Sequence, residues 1–359
     1  MKDRISRRTF LKAGSLAAAA GTLNLLSGAT AFAASGPRDF GTVKFAVIAD
    51  PHVDIKGKNG MKMSAASLEC VQRTVTALNT TPDMRFVMVC GDLLLDGERE
   101  NAHAIKKELD QLKAPYFVVA GNHDFAPADT TKHRSGFNYL TIEDFVQFFT
   151  GHGYDASGKR YYAAEVTPGL RIIGLDANLP LEKTKWGAIM PEEQLAWLDS
   201  ELAAHKDALH VVFMHHNLIR WTADELPGGP KQWFTLDNAD RVREVLSKHA
   251  ATAPVVIAAH RHIALNLKEL NGVNYFASPS VNSHPMRYTV YDIDRSGISW
   301  QTPAVPVDTG LHLQARENLL AATWWRPTEF SERNPVADME VLSVYENNGL
   351  RMGRKNIKA

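Results

Sequence analysis

After Pro37 the chain alternates short apolar runs of strand length with segments whose apolar residues recur at helical spacing. Lys44–Ala49, Arg85–Cys90 and Tyr116–Ala120 are the first three runs, each bounded by turn residues. Between them, Ala65, Leu68, Val71, Val75 and Leu78 form a helical stripe behind Ser64, a candidate N-cap. Ile105, Leu109 and Leu112 form a second stripe. Leu170–Leu175, Leu209–Met214 and Pro254–Ala259 continue the strands. Pro191-Glu192-Glu193 opens a helix striped by Leu195, Leu198 and Leu202, with its acids facing the dipole. Asp237 opens another, carrying Val242, Val245 and Leu246. Tyr275–Ala277 and Tyr288–Ile293 read as late strands, Asp294-Arg295-Ser296-Gly297 as a hairpin turn, and Trp300 to Pro306 as the strand that closes it. This alternation predicts an α/β domain.

Composition narrows the partners. The 359 residues, 45% hydrophobic and 22% charged, suit one large domain or two smaller ones. Forty basic residues balance forty acidic ones, and no basic run stands out. A nucleic-acid polymer or an anionic membrane surface is therefore not expected as a partner. An anionic substrate has to be held by local charges, for which bound cations are the obvious source. No apolar stretch of about 18 residues follows the N-terminus, so no membrane span is expected in the mature form.

Residues 1–33 read as a targeting peptide. Ser6-Arg7-Arg8-Thr9-Phe10-Leu11-Lys12 matches the twin-arginine export pattern. A weakly apolar stretch from Ala13 to Leu26 follows, and Ala31-Phe32-Ala33 offers a small-x-small cleavage site. Gly14, Gly21 and Gly28 argue against an amphipathic N-terminal helix instead. The expectation is an exported protein, periplasmic or secreted from a bacterium, with the twin-arginine export machinery as a partner. The two cysteines, Cys70 and Cys90, could form one bridge in such a compartment. Their helical and strand settings favour two free buried thiols.

Five strands end in residues that can ligate metals. Ile48-Ala49 runs into Asp50-Pro51-His52, Val89-Cys90 into Gly91-Asp92, and Val119-Ala120 into Gly121-Asn122-His123-Asp124. Phe213-Met214 runs into His215-His216-Asn217, and Ala258-Ala259 into His260-Arg261-His262. Ligand sites of open α/β sheets lie at the carboxyl ends of strands, so these loops can converge. Gly91 and Gly121 permit sharp turns beside the ligands, and the two oxygens of Asp92 can bridge two cations. A single Asp-x-His or His-His at a strand end is more often a hydrogen-bonded polar residue than a ligand. Five in one order are hard to obtain by accident.

These blocks resemble the calcineurin-like metallophosphoesterase superfamily, whose pattern runs D-x-H, G-D, G-N-H-D/E, H and G-H-x-H. Within it the chain most resembles the class III cyclic-nucleotide phosphodiesterase type, through His215-His216, Gln194-x-x-Trp197-Leu198 and Ser278-Pro279-Ser280. The resemblance implies a four-layer α/β/β/α sandwich of two mixed β-sheets over residues 34–308. It assigns Asp50, His52 and His262 to one metal, Asn122, His215 and His260 to the other, and Asp92 to both. It makes His123 a catalytic residue that assists the leaving oxygen, with Asp124 orienting its ring, and leaves His216 as a hydrogen-bonding neighbour. Two departures stand out. Ala259 replaces the usual Gly, and Asn217-Leu218 replaces the prolines that often follow the doubled histidine.

Two cations roughly 3.5–4 Å apart lower the pKa of a shared water and clamp phosphoryl oxygens for in-line attack. Mixed Asp, Asn and His donors suit Mn, Fe or Zn, divalent or trivalent. The function expected is hydrolysis of a small phosphodiester, a cyclic nucleotide or a glycerophosphodiester-like ester, by a metal-bridging hydroxide. Phosphomonoester hydrolysis and metal binding without turnover are the rivals. His103, His205 and His249 read as surface or capping residues on helices. His133 is a candidate for the rim formed by Phe125–Tyr139, and His284 a candidate substrate contact. Residues 309–359 read as a C-terminal extension that packs on the core or forms a cap. An oligomer remains open.

Overall fold

The computed structural model describes residues 38–179 and 186–357, so the twin-arginine and cleavage motifs lie outside the described residues. Two six-stranded sheets carry the fold. In the first, β1 (Val43–Ile48), β2 (Met84–Cys90) and β3 (Tyr116–Val119) run parallel. The antiparallel strands β10 (Thr289–Asp294), β11 (Gly297–Gln301) and β12 (Met352–Asn356) continue that sheet beyond β1. In the second, β5 (Leu170–Leu175), β6 (Leu209–Met214), β7 (Val255–Ala258) and β9 (Val273–Ala277) are parallel. Antiparallel β4 (Tyr162–Thr167) and β8 (Asn266–Leu270) flank them.

The strand period of two decides what each sheet face buries. Along β6, Val211 and Phe213 join the core cluster shared with the first sheet, whereas Val212 and Met214 face the other way. The shared core is an aromatic seam. Phe45 stacks on Phe86 and Tyr291 at 4.9 and 5.0 Å, and Phe213 meets Phe45 edge-on at 5.9 Å. Helices α1 (Ser67–Thr80) and α2 (Arg99–Leu109) bury Val71, Val75, Leu78, Ile105 and Leu109 in the same cluster. Helix α3 (Ile142–Phe148) follows, its start fixed by a capping box between Thr141 and Asp144. On the outer face of the second sheet, α4 (Glu192–Ala204) buries Leu195, Leu198 and Leu202, and α5 (Ala239–Lys248) buries Val242 and Leu246. The four layers are thus helices, sheet, sheet, helices.

Three local readings are corrected. Ser64 does not cap α1. It sits in a short 3-10 turn, where its carbonyl accepts from Ser67 Oγ at 2.7 Å, and the helix begins at Ser67. Asp237 does not open α5, which starts at Ala239 behind Asn238. The Asn238 amide bonds the backbone N and O of Met190, both at 2.9 Å, tying α5 to the loop before α4. The late hairpin closes at Gly297–Gln301, earlier than Trp300 to Pro306, because Asp294 Oδ1 accepts from Ser296 N and Gly297 N and makes a tight turn.

Helices α6 (Thr309–Ala321) and α7 (Pro335–Glu346) come from the C-terminal extension. Leu319, Leu320, Trp325, Val341 and Tyr345 form a cluster with Phe234 and Ile263, beside the end of β7. The guanidinium of Arg261, fully buried, reaches Glu225 Oε1 at 2.7 Å and Tyr345 Oη at 3.0 Å. β12 then returns to edge the first sheet.

Candidate metal centre

The five loops do converge, and their backbone is unusual where they do. Asp50, His52, Asp92, His260 and His262 all hold positive φ, between 40° and 68°. Non-glycine residues seldom adopt this region, and runs of them mark functional turns. Gly91, also at positive φ, leaves no room for a Cβ beside the His215 ring, and Gly121 leaves none beside Asp92. The two glycines therefore permit the close approach expected of them.

Two groups of side chains form. Asp50, His52, Asp92 and His262 bring their ligating atoms within 4.8 Å of one another, and so do Asp92, His215 and His260. Asp92 belongs to both. Its Oδ2 lies 3.3 Å from His52 Nε2, and its Oδ1 lies 3.3 Å from His215 Nε2. Asn122 joins the second group, with Oδ1 3.2 Å from His215 Nε2. In the first group Asp50 Oδ1 stands 3.3 Å from His262 Nε2.

Each histidine is fixed through its far nitrogen. His52 Nδ1 meets Leu94 O at 3.2 Å, His215 Nδ1 meets Cys90 O at 3.1 Å, and His260 Nε2 meets Trp233 O at 3.2 Å. His262 Nδ1 meets Ser283 Oγ at 3.0 Å. A carbonyl only accepts, so the His215 and His260 rings carry their proton on that far nitrogen when neutral. The nitrogens facing inward are then lone pairs. His215 Nε2 and His260 Nδ1 face each other at 3.1 Å, with the oxygens of Asp92 and Asn122 alongside. With these rings neutral, acceptors gather without a donor, and together with a buried Asp50 Oδ2 that has no hydrogen-bond partner they fit a pair of cations. Without thiolates the donor set suits borderline metals.

The charges are strongly coupled. Burial opposes ionisation of Asp92, yet His215, His123 and His52 hold its carboxyl well below the usual range. Burial likewise opposes charge on His215, but Asp92 raises it to about 9. His216, buried beside His215, is pushed down to about 3 and holds Trp186 O at 3.0 Å. Its ring lies 5.1 Å from that of His215 and 4.3 Å from that of His260, beside the second group.

His123 stands apart from both groups, its ring edge-on to His52 at 4.8 Å and near Trp186 at 4.6 Å. Its Nδ1 lies 2.5 Å from Leu95 O and 2.9 Å from Asp96 Oδ1. The orienting role expected of Asp124 is corrected here. Asp124 accepts from Leu94 N at 3.0 Å and Gly121 N at 2.7 Å, so its carboxylate staples two loops and does not reach the His123 ring. Asp96 was not singled out from sequence, because Leu-Leu-Asp-Gly resembles any turn. Nor was Lys62, whose Nζ lies 3.2 Å from His123 Nε2 and 3.1 Å from His52 Nδ1.

The remaining histidines have structural partners. His205 and His249 are the C-cap residues of α4 and α5, and His249 Nε2 meets Asp199 at 2.5 Å. His103 packs edge-on against Phe148. His133 stacks on Tyr139 at 4.1 Å and braces its loop. His284 pairs with Glu346 of α7 at 3.1 Å, which ties it to the extension and not to the metal centre. Cys70 and Cys90 are free and buried. Gln194 clamps the backbone of Asp176 through both its amide atoms, and Ser280 Oγ donates to Asp50 O at 2.9 Å. No described helix is long and apolar enough to cross a membrane.

A two-sheet α/β sandwich whose strand ends present two histidine-carboxylate groups joined by one aspartate defines a metallophosphoesterase. Residues 43–264 match the calcineurin-like phosphoesterase family, and the chain belongs to it. A probable glycerophosphodiester phosphodiesterase of Arcobacter nitrofigilis is 27% identical over 180 residues, 47% of this chain and 55% of that protein. A probable cyclic nucleotide phosphodiesterase of Rhodopseudomonas palustris is 30% identical over 176 residues, covering 48% and 57%. The match thus spans little more than half the length of these relatives. Among solved structures, a dimetal phosphatase from Danio rerio aligns over 73% of this chain and 96% of its own, with TM-score 0.55 and 18% identity. A purple acid phosphatase from yellow lupin aligns over 75% and 52%, also with TM-score 0.55, at 13% identity. These likenesses concern the fold.

Proposed function

We propose that the chain is an exported, two-metal phosphodiesterase acting on a small phosphate ester. One observation carries the reading: the Asp92 carboxylate spans the two histidine groups, one oxygen 3.3 Å from a ring nitrogen of each. Asp50, His52 and His262 would hold one cation and Asn122, His215 and His260 the other, with Asp92 offered to both. Cations bound there would supply Lewis-acid stabilisation of phosphoryl charge and a lowered pKa for water. The ring of His123 is held at Nδ1 by Leu95 O and Asp96, which leaves Nε2, beside Lys62 Nζ, as the nitrogen free to serve a departing ester oxygen. Asp96 stabilises the charge on the ring while Nε2 holds the proton to be given up. Lys62 adds positive charge at the same place. The names of the Arcobacter and Rhodopseudomonas relatives support a diester as substrate, and Arg7-Arg8 with Ala31-Phe32-Ala33 supports export.

The test pairs metal analysis with a substrate panel. Wild type should bind about two metal ions per chain and hydrolyse a cyclic nucleotide or glycerophosphodiester faster than an aryl monoester. Asp92→Asn should lose both metal content and turnover. Full activity with both ions retained in that variant would remove the shared role of Asp92. A preference for monoesters would replace the diesterase reading, and metal binding without turnover on any ester would end the enzymatic one.

A further inference from the structure

The loop that leaves the metal centre through His216 and Asn217 forms a second cavity farther along. Ile219 to Ala223 and Leu226 line one side, with Arg243 of α5 and Lys268 and Leu270 of β8 opposite, around about 360 Å³. The cleft is wide open to solvent, and its volume would take a small molecule. Arg220, Arg243 and Lys268 line it and no carboxylate is among its lining residues, although Asp240 pairs with Arg243 from outside. Arg243 is engaged by Leu218 O and by Asp240 at the helix surface. Burial and the neighbouring Arg220 both pull the Arg243 guanidinium below its ordinary value, against the opposing effect of Tyr275. Arg220 Nε is buried and has no hydrogen-bond partner.

Like charges gathered around a cavity cost free energy that an anion in the middle would recover. An arginine fork suits the oxygens of a phosphate, with geometry as well as charge. The apolar part of the wall is also specific. The Trp221 indole is fixed by a bond of 3.0 Å from Nε1 to Asn217 Oδ1, and Leu226 beside it is 53% exposed.

We propose that this cleft is a binding site for a small phosphomonoester, its phosphate held by Arg220 and Lys268 beside the engaged Arg243 and its organic part resting on Trp221 and Leu226. The site is separate from the metal centre and does not depend on the reaction proposed above. It is nevertheless connected to it. Asn217, which holds Trp221, donates from Nδ2 to Ala259 O at 2.7 Å, one residue before His260. A phosphomonoester is also what the proposed phosphodiesterase would release, and a product-sensing role for the cleft, unlike the binding itself, rests on that reading.

The experiment uses the full chain after chelation, which silences the metal centre, and calorimetric titration with phenyl phosphate and inorganic phosphate. The metal-free protein should bind phenyl phosphate at one site, more tightly than inorganic phosphate. Arg220→Gln should weaken binding about tenfold, the loss of one charge-assisted hydrogen bond, and Lys268→Gln, on an exposed strand position, should weaken it without disturbing the fold. Asp92→Asn should leave it unchanged, which separates this site from the catalytic reading. Failure of the metal-free protein to bind either compound would overturn the proposal, as would wild-type affinity in both variants. Binding to phosphatidic acid vesicles with no response to phenyl phosphate would overturn it in favour of a lipid headgroup.

Discussion

Asp96 Oδ1 lies 2.9 Å from His123 Nδ1, so the carboxylate that orients the ring comes from the loop after β2 and not from the residue next to the histidine. Asp96→Asn should keep the metal content and lower turnover about 10- to 100-fold, the usual cost of removing a partner that orients a functional histidine. His123→Ala should also keep the metals and lose about 10²–10⁴-fold. Both losses should be greater on an alkyl than on an aryl phosphodiester, because an alkoxide needs the proton that an aryl oxide can forgo. Equal losses on the two esters would point to electrostatic stabilisation instead, and loss of a metal ion from His123→Ala would make that residue a ligand.

Glu225 and Arg261 are both fully buried and paired at 2.7 Å, and Arg261 continues to Tyr345 of α7. Glu225→Ala strands a guanidinium in the interior. It should destabilise the protein by about 3–5 kcal/mol in urea denaturation. Replacing both partners, Glu225→Leu with Arg261→Met, should recover much of that loss. A single variant as stable as wild type would show that water reaches Arg261.

His210 on β6 is buried, and burial pushes its pKa down to about 4 although Thr252 O opposes the shift. The unfolded chain binds its proton near pH 6.5, whereas the folded protein resists it until about pH 4. The unfolded state therefore holds more protons in that window, and stability falls as pH drops through it. Between pH 7.5 and 5 the loss from this group should be about 2 kcal/mol. His210→Gln should flatten the dependence when denaturation of the chelated protein is followed at both pH values. An unchanged slope would place the titration elsewhere.

Arg7 and Arg8 are expected to direct export. Arg7→Lys with Arg8→Lys should leave an uncleaved precursor inside the cell, seen by fractionation and mass spectrometry. Normal processing of that variant would exclude the twin-arginine route.

The strands that carry the ligands were legible because they are central and continuously apolar, and their ends hold residues with little reason to sit there otherwise. The edges were not. β8 reads Asn-Leu-Lys-Glu-Leu and β12 Met-Gly-Arg-Lys-Asn, polar segments that become strands only because β9 and β11 offer open hydrogen bonds. In the site, spacing within a block located the ligands but could not show which carboxylate reaches which ring. Asp124, adjacent to His123, turns its oxygens to Leu94 N and Gly121 N, whereas Asp96 arrives from another loop. Lys62 reaches the same ring from the segment before α1, far from any block. Such contacts depend on loop paths, which no period in the sequence records.

The left-handed backbone at Asp50, His52, Asp92, His260 and His262 has a consequence for mutagenesis. Alanine at any of them removes a donor while keeping a Cβ in a conformation that costs about 1–3 kcal/mol, with no side-chain interaction left to hold it there. An alanine scan would therefore merge two losses and overstate each side chain. Glycine tolerates the conformation, and asparagine does so better than alanine. At these five positions the informative comparison is glycine against asparagine, the one reporting the missing donor and the other the missing charge or ring.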